Sequence, residues 1–268
     1  MTTKTFALSG PINLAARVGH GSLTVHCVDD LTEARVEMAS RKGSGEFLER
    51  ITVQMDGPTL TISAPRQGGV FDLFGDRWRT GASVDIDVTV PSGTALKISS
   101  FTADITVTGR CAGADVATGT GRIQLDHVDG DLRLRYGASH SVIGRVSGSA
   151  IVKSGSGDTR LGEIGGDLQC ACGSGRLEAA AVRGSVKSRC GAGEARLGAV
   201  YGDVDLASGS GAISVGLPKG VTARVDVHTG SGDLRSELPI EDEPVDRSGA
   251  ITLRARTGSG DVHVFRAA

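Results

Sequence analysis

Three of the chain's five cysteines are spaced so that they could do thiol chemistry together. Cys172 and Cys190 are 18 positions apart, which is one period of the repeat described below, and Cys170 precedes Cys172 by two residues on the same side of a predicted strand. Three converging thiols could bind a soft metal ion or act as a redox pair. Other repeats carry different side chains at the position of Cys172, namely Tyr136, Ser154 and Ser208. That variety favours a corner position that accepts residues of this size, so we assign no metal and no cofactor.

The cysteine count also bears on the redox compartment. The count is odd and the spacings form no close regular pattern, which predicts reduced thiols and not a disulfide framework. The stretch Met1–Gly10 has one lysine and no apolar run of the length found in a secretory signal. No window approaches the roughly 18 consecutive apolar residues of a membrane span. We therefore expect a cytoplasmic protein that does not insert into a membrane.

Glycine pairs such as Gly155-Ser156-Gly157 invite comparison with phosphate-binding loops. Such a loop joins a strand to a helix whose N-terminus meets the phosphate, and no segment here has the apolar period of a helix. The residues that follow the pair also lack the Gly-Lys-Ser/Thr of a nucleotide-triphosphate loop. The glycines are therefore predicted to form corners of the backbone.

Glycine and aspartate repeats can also bind calcium in a parallel β-roll. A calcium ladder would need a carboxylate after every glycine pair, but the charge at that position changes sign along the repeat. Its occupants are Arg122, His140, Asp158, Arg176 and Glu194. We therefore predict no calcium site.

Catalytic signatures are equally sparse. The six histidines fall at different repeat positions, and neither a Gly-x-Ser-x-Gly elbow nor a His-Glu-x-x-His pair occurs. Carboxylates are plentiful on the predicted outer face, where pectate-lyase-like β-helices keep their chemistry, so an enzyme stays among the alternatives. We assign no catalytic residue.

The charge balance gives no lead toward a polyanionic partner. Lys plus Arg is 29 and Asp plus Glu is 31, which leaves a formal net charge of −2. That balance provides no long-range attraction for nucleic acid or anionic lipid. The expected partner is a protein, and a homo-oligomer is one form that such a partnership could take.

The element that would position all these residues is an 18-residue repeat. Glycine pairs separated by one residue mark it, at Gly119/Gly121, Gly155/Gly157, Gly173/Gly175, Gly191/Gly193 and Gly209/Gly211. Fixed self-similarity of this kind predicts a solenoid, in which stacked units complete one another's core. Three apolar positions per turn are predicted to form the interior. They hold Leu125, Ile143, Leu161, Ala179, Leu197 and Val215; Val128, Val146, Ile164, Val182 and Val200; and Leu132, Ala150, Leu168, Val186 and Val204.

One outward position alternates between charged and neutral residues along the predicted stack. Its occupants are Asp131, Ser149, Asp167, Ser185 and Asp203. The alternation doubles the distance between like charges and so softens their repulsion. We interpret this column as solvated surface.

The region 1–95 is predicted to form irregular strands, among them one through Ala34, Val36 and Met38 and a hairpin that turns at Asp56-Gly57-Pro58. An aromatic loop, residues 65–80, interrupts these strands. Its candidate interaction residues are Phe71, Phe74, Arg77, Trp78 and Arg79. Such a loop could plug the core or offer a contact surface, and the plug is favoured because a solenoid must be closed somewhere.

Beyond Leu217 the repeat period stretches. Glu237 to Ser248 forms an acidic loop with two prolines, which departs from the stack. The last predicted strand contains Phe265, whose ring we expect to cover the core and edge of the last rung.

Several segments, taken together, are similar to those of one known family. They are Gly19 to Val25, Gly155 to Asp158, Gly166 to Leu168, Leu217 to Val221 and Arg256 to Val262. Through these motifs the chain resembles, over nearly its whole length, the bacterial toastrack or putative adhesin family of domains with β-strand repeats. The resemblance implies a β-solenoid and, in some members, association with envelope-stress systems. It carries no catalytic residues to transfer.

The sequence therefore predicts an all-β fold, a single-domain parallel β-solenoid over 1–268 with about 18 residues per turn. Its predicted parts are the irregular region 1–95, regular repeats over 96–216, and irregular rungs with a cap over 217–268. The favoured function is a non-catalytic binding or assembly scaffold. The alternatives are an enzyme or small-ligand-binding protein, with a site between the aromatic loop 65–80 and the solenoid side, and a self-assembling filament protein.

Overall fold

A computed structural model describes residues 1–42, 46–64, 83–238 and 250–267. The described chain forms two compact units, Met1–Ser139 and His140–Ala268. Its 21 described strands belong to one mostly parallel sheet, so the prediction of an all-β solenoid is confirmed. A single domain over 1–268 stays a prediction.

The first unit combines parallel strands with an antiparallel group of outer strands. Its elements are β1 (Thr2–Ala7), β2 (Asn13–Val28), β3 (Glu33–Lys42), the one-turn helix α1 (Glu46–Glu49), β4 (Thr52–Asp56), β5 (Thr59–Ser63), β6 (Ser83–Pro91), β7 (Ala95–Cys111), β8 (Gly113–Val128) and the first part of β9 (Leu132–Val146). The long strand β2 pairs in parallel with β7 on one edge and with β5 and then β6 on the other. Strand β8 extends the parallel stack from β7. Antiparallel pairs β1–β3, β3–β6 and β4–β5 complete the unit.

The predicted strands of this unit are confirmed. Ala34, Val36 and Met38 in β3 are buried, because alternate side chains of a strand point to the same face. The hairpin β4–β5 turns at Gly57, whose φ of 53° lies in the left-handed region that glycine accepts without strain.

The second unit is a two-faced parallel stack with a fixed register. Its strands are β10 (Ala150–Ser156), β11 (Thr159–Ile164), β12 (Leu168–Ser174), β13 (Leu177–Val182), β14 (Val186–Ala192), β15 (Ala195–Val200), β16 (Val204–Ser210), β17 (Ile213–Leu217), β18 (Ala223–Ser231), β19 (Leu234–Ser236), β20 (Ile251–Ser259) and β21 (Val262–Arg266). One face is built by β10, β12, β14 and β16, and the other by β11, β13, β15 and β17. Ala150 pairs with Leu168, which is in line with Val186 and then Val204, so each rung repeats its neighbour.

The interior follows the three predicted columns. Every residue predicted at these positions is buried, from Leu125 and Val128 through Val204 and Val215. Burial of this kind, at roughly 25 cal/mol for each Å² of apolar surface, is the main stabilising term available to a chain with few aromatic residues. The sequence columns therefore correspond to the real core.

Glycine is needed at the corners for two separate reasons. A Cβ on the first glycine of a pair would meet the carbonyl oxygen of the rung before it, at 2.5 Å for Gly173 over Gly155 and 2.5 Å for Gly209 over Gly191. The second glycine has a positive φ in every one of these pairs except Gly191/Gly193, for example 117° at Gly175 and 133° at Gly211. An added Cβ on the second glycine would also meet a carbonyl oxygen, that of Gly157 for Gly175 and that of Gly193 for Gly211. The prediction of corner glycines is therefore confirmed.

The chain order is reversed at the outer end of the second unit. Strands β20 and β21 pair with β16 and β17, and the earlier strands β18 and β19 pair on the outer side of β20 and β21. The expectation that Phe265 covers the last rung is therefore wrong. Its strand, β21, lies between β17 and β19, so the rung that contains Phe265 is the last but one. Phe265 is in register with Gly216, where an added Cβ would be 2.8 Å from the ring.

We expect Gly209→Ala to lower the free energy of unfolding by about 1–3 kcal/mol, the usual cost of forcing extra atoms into a packed site. Gly19→Ala is the matched control, since a Cβ at Gly19 has no atom within 4 Å. Denaturant unfolding of both variants measures the difference. Equal stability of the two would show that the stacked carbonyl does not constrain the corner.

Candidate functional site

The three cysteines that could do chemistry lie together in the second unit. Cys172 in β12 and Cys190 in β14 are register partners, their Cα atoms are 4.7 Å apart, and a disulfide joins them. The expectation of reduced thiols is thus wrong for this pair. The physical reason is the register, because the same repeat position on consecutive parallel rungs recurs at about 4.8 Å.

Cys170 completes this thiol cluster, which we define as Cys170, Cys172 and Cys190. Its sulfur and those of the disulfide all lie within 4.8 Å of one another. Cys170 is buried, whereas Cys172 and Cys190 are half-buried at the corner. Burial raises the pKa of the Cys170 thiol to about 11, and a hydrogen bond from Ser188 acts in the opposite direction. In this state the Cys170 thiol is protonated at neutral pH and a poor nucleophile.

The remaining cysteines belong to the first unit and are unlike the cluster. Cys27 and Cys111 are buried free thiols. Burial raises the pKa of Cys27 to about 11 and that of Cys111 to about 12. Both are therefore inert packing residues and serve as internal comparisons for the cluster.

A column of opposite charges runs along the outer surface of the second unit. Register places Lys187, Asp205, Arg254 and Asp226 on successive rungs, from β14 through β16 and β20 to β18. We call these four residues the charge ladder. Opposite charges directly across neighbouring strands stabilise a sheet, by roughly 0.2–1 kcal/mol a pair. The ladder ends on Asp226, whose Oδ2 is 3.4 Å from Nη2 of Arg256.

Asp205 is the most strongly held member of the charge ladder. Its Oδ2 accepts a hydrogen bond of 2.6 Å from Nη2 of Arg189. That hydrogen bond is the main reason why the pKa of the Asp205 carboxyl lies below its ordinary value of 3.8. Asp205 is thus held by a cation within its own sheet face as well as by its ladder neighbours.

The outermost rung of the second unit, formed by β18 and β19, is apolar but poorly covered. Val225 is 38% exposed and Leu234 is 51% exposed. Their register partners Leu253 and Val262, one rung further in, are both 0% exposed. Among the described strands, β18 pairs along one edge only, with β20. We call β18 and β19 the terminal rung.

The aspartate column interpreted as solvated surface has a structural role that the sequence did not reveal. Oδ1 of Asp167 accepts a hydrogen bond of 2.8 Å from the backbone N–H of Ser185 on the next rung. Asp203 does the same for Thr252 at 2.7 Å, and Ser149 for Asp167 at 3.1 Å. These side chains thus provide acceptors for backbone N–H groups at the corners.

All five predicted interaction residues lie outside the described residues. They are Phe71, Phe74, Arg77, Trp78 and Arg79 of the aromatic loop, so neither the plug nor the contact surface is tested. Only Glu237 and Leu238 of the predicted acidic loop are described, and Oε1 of Glu237 is 3.0 Å from Nε2 of His263. Within the described ranges, no helix has the length and apolar character needed to cross a membrane.

Comparison with known proteins gives a family and a set of distant folds. The family model described as Toastrack DUF4097 matches residues 29–267. A putative adhesin from Bacteroides fragilis NCTC 9343 is 16% identical, with 98% of this chain and 96% of that chain covered and a TM-score of 0.49. A putative adhesin from Parabacteroides merdae ATCC 43184 is 13% identical, with 98% and 95% covered and a TM-score of 0.47. Curated proteins give no match.

Reduction of the Cys172–Cys190 disulfide is expected to lower the free energy of unfolding by about 3 kcal/mol, because the cross-link closes a loop with a sequence separation of 18. Denaturant unfolding with and without a phosphine reductant measures this. The Cys172→Ser/Cys190→Ser double variant should not respond to the reductant. A wild-type protein that is equally stable in both conditions would contradict the expectation.

The pKa of Asp205 should depend on Arg189. Because the folded pKa lies below the unfolded value, the ion pair contributes stability above pH 3.8, and this contribution is lost as the pH falls through the folded pKa. Arg189→Gln should return the pKa toward its ordinary value, and its difference in melting temperature from wild type should shrink in acid. Carboxyl NMR titration of both proteins, with Arg160→Gln as a distant control, measures this. An unchanged Asp205 pKa in Arg189→Gln would contradict it.

Proposed function

The chain belongs to the toastrack DUF4097 family, and from that premise we propose that it is a non-catalytic assembly scaffold. In this proposal two copies associate through their terminal rungs. The proposal rests on one observation, the exposure of Val225 and Leu234 at positions that are fully buried one rung further in.

The exposed apolar positions give the terminal rung a reason to associate. A solenoid rung buries its apolar face only when a neighbour covers it, so an end rung leaves that face in water. An edge strand also presents backbone N–H and C=O groups that can pair with another chain. The terminal rung combines both features along β18.

A second copy of the chain is the occupant that the charges of β18 favour. In antiparallel pairing centred on Val225, Arg224 of each copy lies opposite Asp226 of the other, and Ala223 lies opposite Val227. Residues directly across an antiparallel pair share a face, so opposite charges meet outside and apolar residues meet inside. The same pairing places Arg224 of the second copy next to Asp226, at the end of the charge ladder. The alternation of positive and negative charges along the ladder therefore continues into the second copy.

The two-fold character of this pairing supports a dimer in preference to the filament alternative. Both copies use the same strand, which makes the interface isologous and closes the assembly at two. A filament would need a head-to-tail interface between two different surfaces. A dimer would present two copies of each outer face. It would therefore bind with increased avidity to a partner protein that carries a repeated binding site. The cytoplasmic location stays a proposal that cell fractionation would test.

We expect the wild-type chain to show a concentration-dependent monomer–dimer equilibrium in sedimentation experiments. Val225→Lys should raise the dissociation constant at least about tenfold, because a charge on the inward position of an edge strand opposes pairing. Val142→Lys is the matched control, since Val142 is 45% exposed but lies in β9. A wild type that is monomeric at every concentration would overturn the proposed interface.

The charge pairing can be tested separately by reversal. Arg224→Asp should weaken the dimer, since it places two carboxylates opposite each other on each side of the two-fold axis. The Arg224→Asp/Asp226→Arg double variant should recover part of the affinity, because opposite charges face each other again. A single variant that dimerises as well as wild type would rule out this register.

A further inference from the structure

Two neighbouring repeat positions of the second unit hold unusual residues on the same two strands, β12 and β14. Cys170 and Ser188 occupy an inward position that other repeats fill with apolar residues, namely Leu134, Val152 and Leu206. On these rungs the neighbouring corner position carries Cys172 and Cys190. Packing alone gives no reason to replace apolar side chains by a thiol and a hydroxyl beside two further thiols. The coincidence indicates a site.

The backbone holds the three sulfur atoms together whether or not the disulfide is present. The 4.7 Å between the Cα atoms of Cys172 and Cys190 is the ordinary spacing of parallel rungs, so opening the bond requires no backbone movement. Cys170 lies two residues from Cys172 on the same strand, and the three sulfurs are already within 4.8 Å of one another. Three thiolates around one ion at a metal–sulfur distance of about 2.3 Å are about 4 Å apart, which side-chain rotation can provide.

We propose that the reduced thiol cluster binds one Cu(I) ion through Cys170, Cys172 and Cys190, and that the Cys172–Cys190 disulfide closes this site. The donor set decides the choice of ion. In the described part of the chain, the cluster that could hold a metal consists of cysteines alone, without a histidine or carboxylate. Soft thiolates favour Cu(I), whereas a structural zinc site needs four ligands.

Opening and loading the site are separate steps. A dithiol reductant transfers two electrons and two protons to the Cys172–Cys190 bond, which becomes two thiols while the reductant becomes a disulfide. Cu(I) then forms three Cu–S bonds as the three thiols release their protons to solvent. The copper ion does not change its oxidation state.

The position of the disulfide makes it accessible to such a reductant. Cys172 and Cys190 are half-buried, and the glycines that follow them, Gly173 and Gly191, are exposed. Cys170 lies beneath them in the interior. An ion bound here would therefore have two ligands near the surface and one in the core.

The test is Cu(I) binding by the full chain under anaerobic conditions, measured in competition with bicinchoninate. The reduced protein should bind one Cu(I) per chain, with a copper absorption-edge spectrum that shows three sulfur neighbours, and the oxidised protein should not compete. Cys170→Ser should weaken binding by at least about a hundredfold, because it removes a ligand and the loss even of an outer-shell partner costs a metal site about 10–100-fold in affinity. This variant keeps the disulfide, and circular dichroism establishes that it folds.

Cys27→Ala is the matched control, since it removes a buried thiol of the first unit and should leave Cu(I) affinity unchanged. The proposal is overturned if the reduced wild type takes up no stoichiometric Cu(I), if Cys170→Ser binds as tightly as wild type, or if Cys27→Ala loses as much affinity as Cys170→Ser. Dimerisation through the terminal rung is not involved, so this result is independent of the proposed function.

Discussion

Parallel stacking in a fixed register is the constraint on which the structure depends. Each residue of the regular rungs has, as its neighbours about 4.8 Å above and below, the residues at the same repeat position. The residues at one repeat position must therefore be able to stack directly on one another. Apolar side chains satisfy this rule inside, alternating charges satisfy it along Lys187, Asp205 and Arg254, and glycine satisfies it where carbonyl oxygens approach. Two cysteines in one column satisfy it by forming a bond.

The regular part of the fold could be predicted because self-compatibility leaves a trace in the sequence. The apolar columns repeat every 18 residues, and all of them are buried in the structure. The reversed order of the last rungs left no such trace, because Val225 and Val227 in β18 show the same alternation as Leu253 and Ala255 in β20. An alternating pattern identifies a strand but not the strand beside which it stacks.

The candidate sites were only partly accessible to sequence reasoning. The spacing of Cys172 and Cys190 placed them in one column, but the odd cysteine count favoured reduced thiols, and composition proved a weaker guide than register. The role of Asp167 as an acceptor for a backbone N–H could not be told from solvation, since both require only an exposed polar side chain. The weak cover of the terminal rung followed from strand order and could be seen only in the structure.

The insertion of β20 and β21 beneath the terminal rung has a consequence for biosynthesis. Segments of a growing chain fold as they emerge, from the N-terminus onward. β18 and β19 are synthesised before the strands that support them, so neither can take its final place until residues 251–266 have been made. Until then the rung of β16 and β17 is the outer edge of the stack, and β20 and β21 do not yet cover it. Folding of the terminal rung is therefore coupled to the synthesis of β20 and β21.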